Sequence, residues 1–311
     1  MSPSSSGCED QAMICDGRIV VVTGGARGLG REYALAYARE GARVVVNDLG
    51  VSRDGQGGGS EAADELVAEI KGFGGTAVAN YADVADWEGS ATIVGTAVEA
   101  FGGLDVVVNN AGFLRDRMFA NATVDEWDAV MRVHLRGHFC VGNHAARYWR
   151  DRQKAGAAVD GRIINTSSGA GLQGSIGQAA YSAAKGGIAA LTLVQAAELR
   201  RYGVTANALA PAARTRMTEE AFGEAMKAPE TGFDVNHPGN VAPLVVWLGS
   251  AQSAHVTGRV FEVAGGRLCL ADGWRDGPEV DKHARWAPAD VGAAVDDLLA
   301  RAAPVKKVWG S

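Results

Sequence analysis

The chain has 311 residues, is 47% hydrophobic and carries a formal net charge of −6. That length and apolar content fill one α/β core without requiring a second, and the negative balance offers no global field to nucleic acid. No apolar run is long enough to span a bilayer, so a membrane is not expected as a partner either.

The first sixteen residues are polar and contain no hydrophobic core of a signal peptide. They are expected to be a disordered tail ahead of a domain over residues 17–265, with an extension over residues 266–311. Four cysteines (Cys8, Cys15, Cys140, Cys269) show no metal-ligand spacing. No metal is therefore expected, and free thiols in a reducing cytoplasm are.

From residue 18 onward, strand-like and helix-like runs alternate. Arg18–Val22 is a β-branched run that reads as a fully buried strand, followed by the loop Thr23-Gly-Gly-Ala-Arg-Gly-Leu-Gly30 and a helix over residues 31–40. A strand over residues 42–47 leads into a long glycine-rich loop at 50–60 and a helix at 61–72. Further strands are predicted at 76–80, 104–109, 161–165, 204–209 and 259–263. Helices are predicted at 87–101, 124–152, 178–202 and 238–250. Past residue 266, the tail carries Trp274, Trp286 and Trp309, with a short amphipathic helix over 287–300 begun by Pro288. Three tryptophans predict packing on the domain or on a neighbouring subunit. Strict alternation predicts a Rossmann-type, doubly wound parallel sheet of about seven strands with helices on both faces. Ligands then bind beyond the carboxyl ends of the strands.

The chemistry-bearing residues fall at such ends. Tyr181 and Lys185 are four apart, which puts both side chains on one face of a helix. A lysine ammonium beside a phenol favours the phenolate, so Tyr181 is expected to exchange a proton near neutral pH. Ser168 lies thirteen residues upstream, after a strand. Gly24, Gly28 and Gly30 open the chain with a strand, a glycine turn and a helix, the context in which a helix N-terminus meets a pyrophosphate.

Thr-Gly-x-x-x-Gly-x-Gly, Asn109-Asn-Ala-Gly112, Ser168 and Tyr181-x-x-x-Lys185, in that order, resemble the short-chain dehydrogenase/reductase family over about residues 17–265. The resemblance implies hydride transfer between a nicotinamide and a secondary alcohol or ketone. Tyr181 would handle the proton, Lys185 would tune it and hold the nicotinamide ribose, and Ser168 would hydrogen-bond the substrate oxygen. It implies cofactor contacts at Gly24, Arg27, Gly28, Leu29, Gly30, Asp48, Asp83, Val84, Asn110, Ala111, Gly112, Tyr181, Lys185 and Pro211. Asp48 ends the second strand, where a carboxylate favours NAD over NADP; Arg27 pulls toward a 2′-phosphate, and Asp48 is weighed more heavily. One departure is His134, which stands where many members carry an asparagine that completes a catalytic tetrad. It either supports Lys185 through a water or is a helix histidine satisfied locally.

Val44–Gly50, Ala77–Tyr81, Leu114–Arg117, Arg132–Gly137 and Arg216–Thr218 resemble one branch, the (3R)-hydroxyacyl-CoA dehydrogenase unit of peroxisomal multifunctional enzymes, also described as a 17β-hydroxysteroid dehydrogenase. That implies an acyl-CoA substrate. Arg115, Arg117, Arg214 and Arg216 either meet its phosphates or form solvated or internal ion pairs. Residues 215–233 are expected to form a mobile lid. The alternatives are a hydroxysteroid dehydrogenase, a 3-oxoacyl thioester reductase and, outside catalysis, a nucleotide-binding regulator. A homodimer or homotetramer through the helices near 124–152 and 178–202 is expected.

Overall fold

The computed structural model describes residues 13–51, 58–215, 227–304 and 306–311. Its frame is one eight-stranded sheet: β1 (Ile19–Thr23), β2 (Arg43–Asn47), β3 (Thr76–Asn80), β4 (Val106–Asn109), β5 (Gly161–Thr166), β6 (Val204–Ala212), β7 (Val260–Ala264) and β8 (Arg267–Ala271). The spatial order is β3-β2-β1-β4-β5-β6-β7-β8. The pairings from β3 through β7 are parallel, and β8 alone runs antiparallel, against β7.

The valine runs explain the central strands. Side chains alternate across a strand, and here both faces are covered, so nearly every position is apolar. Val20, Val22, Val44, Val46, Val106 and Val108 face a core built with α1 (Gly28–Arg39), α2 (Glu61–Gly72) and a later helix over Ala242–Gly249. Val21, Val45, Val107 and Ile163 face the opposite core, built with α3 (Trp87–Phe101), α5 (Gly137–Lys154) and α7 (Ala179–Leu199). Two large buried side chains bond their polar tips to the backbone: Tyr37 Oη donates to the Val245 carbonyl at 2.6 Å and Trp149 Nε1 to the Leu104 carbonyl at 2.7 Å.

Three features differ from the sequence expectation. The eighth strand was not anticipated: a type of edge strand five residues long, turning back directly after β7, leaves little periodicity to read. The single helix expected over 124–152 is broken. α4 (Val124–Met131), started by a Thr123–Glu126 capping box, passes through a π turn at Arg132–Arg136 into α5. At the amino end, residues 1–12 lie outside the described residues, but Cys15 is fully buried and its Sγ lies 3.5 Å from the Val246 carbonyl. The final helices are α6 (Gly169–Gln173), α8 (Ala242–Gly249) and α9 (Pro288–Arg301), the last with no buried residue. No helix among the described residues is long and apolar enough to cross a membrane.

Strand order reverses between β1 and β4, which is where a doubly wound sheet opens a crevice at the carboxyl ends of its strands. β1, β2, β4 and β5 all end there.

Candidate active site

On the cofactor side, α1 begins at Gly28 with neither a side-chain cap nor an acidic residue in its first turn. Its first N–H groups and the positive end of its dipole are open to an anion. The glycines leading to it are required by space. A Cβ on Gly30 would lie 2.1 Å from the Gly24 carbonyl oxygen, and one on Gly24 (φ +58°) 2.8 Å from Ala111 Cα. Thr23 Oγ1 accepts from the backbone N–H groups of Asn110 (2.9 Å) and Ala111 (3.2 Å). Asn110 Nδ2 donates to the carbonyls of Thr23 (3.1 Å) and Gly24 (3.0 Å). The Asn110 amide thus fastens the glycine loop to the end of β4. A side chain at Gly24 or Gly30 would push the loop off the end of β4, and the open helix start that the loop leads into fits a bound dinucleotide pyrophosphate.

Asp48, just past β2, is fixed at both oxygens: Oδ2 accepts from Ala26 N at 3.0 Å and Oδ1 from Gly50 N at 2.9 Å. Arg27 is exposed. Asp83, past β3, accepts from Ala85 N at 2.8 Å and is paired with Arg132 at 2.7 Å. Val84 is part of one core and partly buried Leu29 packs against the other. Pro211 lies in β6, in register with Val263.

On the catalytic side, β5 delivers Thr166, Ser167 and Ser168 to the cleft, and α7 carries Tyr181 and Lys185 across from them. Lys185 is almost wholly buried, and its Nζ donates to the Thr166 carbonyl at 2.6 Å. Ser167 Oγ returns a bond to the Lys185 carbonyl at 2.8 Å. Ser168 caps α6, its Oγ accepting from Ala170 N at 3.2 Å, and its hydroxyl is close enough to the Tyr181 phenol to lower that group's pKa. The Lys185 Nζ lies 5.6 Å from the Tyr181 ring centroid. Ser168, Tyr181 and Lys185 therefore share one small volume beside the glycine loop and the end of β4.

The electrostatics depart from the simple expectation. Burial raises the Tyr181 phenol above its ordinary value, the Ser168 hydrogen bond opposes that rise and the Asp116 charge adds to it. The lysine is pulled down to about 7 by burial. The expected depression of Tyr181 by Lys185 is absent in this state, because an ammonium that itself titrates near neutrality provides only a partial charge.

The π turn explains His134. It rotates the ring inward, fully buried, with Nε2 2.7 Å from the Phe113 carbonyl oxygen and 3.1 Å from Phe113 N. The imidazole stands edge-on to Tyr181 at 5.3 Å between centroids. A Cβ on Gly112 would lie 2.3 Å from His134 Cε1, so the glycine of the Asn-Asn-Ala-Gly run makes room for this ring. Burial first, then the Lys185 charge, holds the His134 pKa down at about 3, so the ring is neutral across the physiological range. Its buried Nδ1 has no hydrogen-bond partner among the described residues.

Sequence reasoning missed three neighbours. His138, one turn beyond His134, is buried with Nε2 3.3 Å from Thr166 N and is held neutral by burial. Its four-residue spacing from His134 was the only hint. Arg132 pairs with Asp83, a contact across 49 positions that no local pattern reveals. Trp309 returns from the carboxyl end to lie against Gly169. Of the four arginines considered for phosphates, Arg117 pairs with Glu126 at 2.8 Å and Arg214 with Asp234. Arg115 lies 5.7 Å from the Phe113 ring centroid. Arg216 and positions 216–226 of the expected lid lie outside the described residues.

Comparison with known proteins agrees with this geometry. The chain is 45% identical over 291 residues to a Mycobacterium tuberculosis protein named hydroxyacyl-CoA dehydrogenase ChsB1, covering 91% of this chain and 89% of the relative. It is 48% identical over 251 residues to the mouse peroxisomal multifunctional enzyme type 2, covering 81% of this chain and 32% of that longer protein. The crystal structure of a short chain dehydrogenase from Mycobacterium avium superposes with a TM-score of 0.86 at 59% identity, over 96% of this chain and 100% of that one. The family model for short chain dehydrogenases matches residues 18–225, and with Ser168, Tyr181 and Lys185 gathered beside a glycine-lined helix start, the chain belongs to the short-chain dehydrogenase/reductase family of nicotinamide-dependent oxidoreductases.

Proposed function

We propose that the protein oxidises 3-hydroxyacyl-CoA thioesters to 3-oxoacyl-CoA with NAD, using Ser168, Tyr181 and Lys185. The observation that carries the catalytic part is that Ser168, at the end of β5, influences the Tyr181 phenol, with Lys185 buried on the same helix as Tyr181 and bonded to the Thr166 carbonyl. The substrate class rests on the printed name of the Mycobacterium tuberculosis relative, which matches nearly the full length of both chains.

When bound, the nicotinamide accepts the hydride from the carbinol carbon. Ser168 donates to the substrate oxygen and stabilises the charge that develops as its proton leaves. Tyr181 takes that proton as the phenolate in oxidation, becoming the phenol, and returns it from the phenol in reduction, worth about 10²–10⁴-fold in rate. Lys185, anchored on the Thr166 carbonyl, supplies positive charge behind the phenol when protonated. His134 is a positioning residue: neutral, bonded to the Phe113 backbone and braced against the Tyr181 ring, it fixes where the phenol points. NAD is favoured because Asp48 is clamped by two backbone N–H groups and cannot turn away from a ribose 2′-phosphate, whereas exposed Arg27 has no such restraint.

The active form is a homodimer or larger assembly formed through α4, α5 and α7, which leave Trp127, Phe139, Leu193 and Val194 exposed. Sedimentation of the purified protein checks this. The functional test is a panel of 3-hydroxyacyl-CoA thioesters and steroid alcohols assayed with NAD and NADP. Turnover of the thioesters with NAD is the expected result. Activity confined to steroid alcohols, or to NADPH-driven reduction, would replace this reading.

A further inference from the structure

The carboxyl-terminal segment ends on the substrate side of the cleft. Trp309 O accepts from Ile176 N at 2.9 Å and Trp309 N donates to the Gly174 carbonyl at 3.2 Å, so residues 174–176 and the tail form a short ladder. The same stretch continues on its other side: Arg117 N donates to the Gly177 carbonyl at 2.7 Å, and Gln178 Nε2 bonds both carboxylate oxygens of Asp116 at 3.0 Å. The loop after β4, the loop after β5 and the tail therefore make one continuous backbone patch leading into α7 and Tyr181. At its centre the benzo edge of Trp309 lies over Gly169, the residue after Ser168. A Cβ built on Gly169 would sit 2.3 Å from the indole Cη2 and 2.6 Å from Cζ2. The indole remains 45% exposed, so much of it still faces open space beside the site. Lys306, paired with Glu262 of β7 at 3.6 Å, holds the segment to the sheet just ahead of the tryptophan.

We propose that Trp309 is a specificity-determining residue, the outer wall of the substrate cleft beside Ser168, and that it limits the bulk of the acyl group next to the reacting carbon. This rests on the 3-hydroxyacyl-CoA reading above. A flat, rigid side chain pressed on a glycine has no room to yield inward, so a branched or ring-bearing acyl group meets it while a straight chain passes. Gly169 is the matching half of the device, since any side chain there would collide with the indole.

The test compares kcat/KM for 3-hydroxybutyryl-CoA and for a branched or ring-bearing 3-hydroxyacyl-CoA, with NAD saturating. Trp309→Ala is expected to raise the bulky-to-short ratio about tenfold, with the KM for NAD unchanged because the tail lies away from the glycine loop. Deleting residues 306–311 should do the same. Gly169→Ala provides the second arm: its loss in kcat/KM should shrink when Trp309→Ala is also present, because the colliding ring is gone. A rise smaller than about threefold, a shift toward the short substrate, or a Gly169→Ala loss indifferent to residue 309 overturns the proposal. Wild-type turnover with no change of ratio removes this inference alone; wild-type inactivity on every 3-hydroxyacyl-CoA removes the substrate reading with it.

Discussion

Lys185→Met separates stability from function at this site. The lysine is buried, its Nζ donates to the Thr166 carbonyl, and burial lowers its pKa from 10.5 to about 7. A base whose pKa is depressed by folding destabilises the native state wherever the unfolded chain is protonated. The penalty is full below about pH 7 and disappears as pH rises toward 10.5. At about 1.36 kcal/mol per decade it amounts to several kcal/mol at pH 6 and has fallen by roughly half at pH 9. Methionine keeps the volume and removes the charge, leaving one buried carbonyl unpaired at about 1–3 kcal/mol. The variant should therefore be more stable than wild type at pH 6, by a few kcal/mol, and the advantage should shrink or vanish at pH 9. Urea unfolding of both proteins at pH 6, 7.5 and 9, without cofactor, measures this; the wild-type-minus-variant difference cancels the titration of groups that do not feel the lysine charge, and burial, the larger cause at His134 and His138, stays in both proteins. Activity should fall in parallel. A variant less stable by the same amount at all three pH values would refute the reasoning, because the lysine's charge would then carry no burial penalty.

The other expectations concern single roles. Tyr181→Phe should lower kcat by about 10²–10⁴-fold while the urea midpoint stays near wild type, since only a hydroxyl leaves; unchanged turnover would remove the proton-transfer role. Asp48→Ala should lower the NAD-to-NADP preference in kcat/KM by about tenfold or more by removing a like charge from the 2′ position. A preference that does not move would assign the selectivity elsewhere.

The sheet and its helices were legible because their patterns are local. Valine runs buried on both faces, separated by helical stretches, mark the parallel strands from Ile19 to Ala264 within one to three residues at most ends, and the glycines of the first loop announce the helix start they serve. What escaped was non-local. β8 carries no run of its own distinct from its hairpin partner. The π turn costs one extra residue in an otherwise continuous helical pattern, yet it is what turns His134 toward Phe113 and Tyr181. The relation between Tyr181 and Lys185 was legible as spacing, but not its electrostatic balance, which depends on how deeply each group is buried. Nor could the sequence place Trp309 on Gly169, 140 positions away in the chain numbering.

Beneath the cleft, the strands change character at one level. β2, β3 and β4 end in asparagine, and β5 carries one a residue before its end, and these amides pair across the sheet. Asn47 Nδ2 donates to Asn80 Oδ1 at 2.9 Å and to the Ala82 carbonyl at 2.9 Å, and Asn80 Nδ2 to Thr96 Oγ1 at 2.9 Å. Asn109 Nδ2 donates to Asn165 Oδ1 at 3.0 Å, and Asn165 Nδ2 reaches Thr192 and Gln195 of α7 at 2.9 and 2.8 Å. Buried amides are tolerated only when bonded, and once bonded they fix the geometry of what they hold. The first pair ties down the loop bearing Asp83. The second ties the strand that delivers Ser168 to the helix that carries Tyr181 and Lys185. A hydrophobic end to these strands would have packed as well, but it would have left the loops free to turn. The amide layer is the reason that residues from four separate strands can meet at a defined hydrogen-bond distance, which transition-state stabilisation requires.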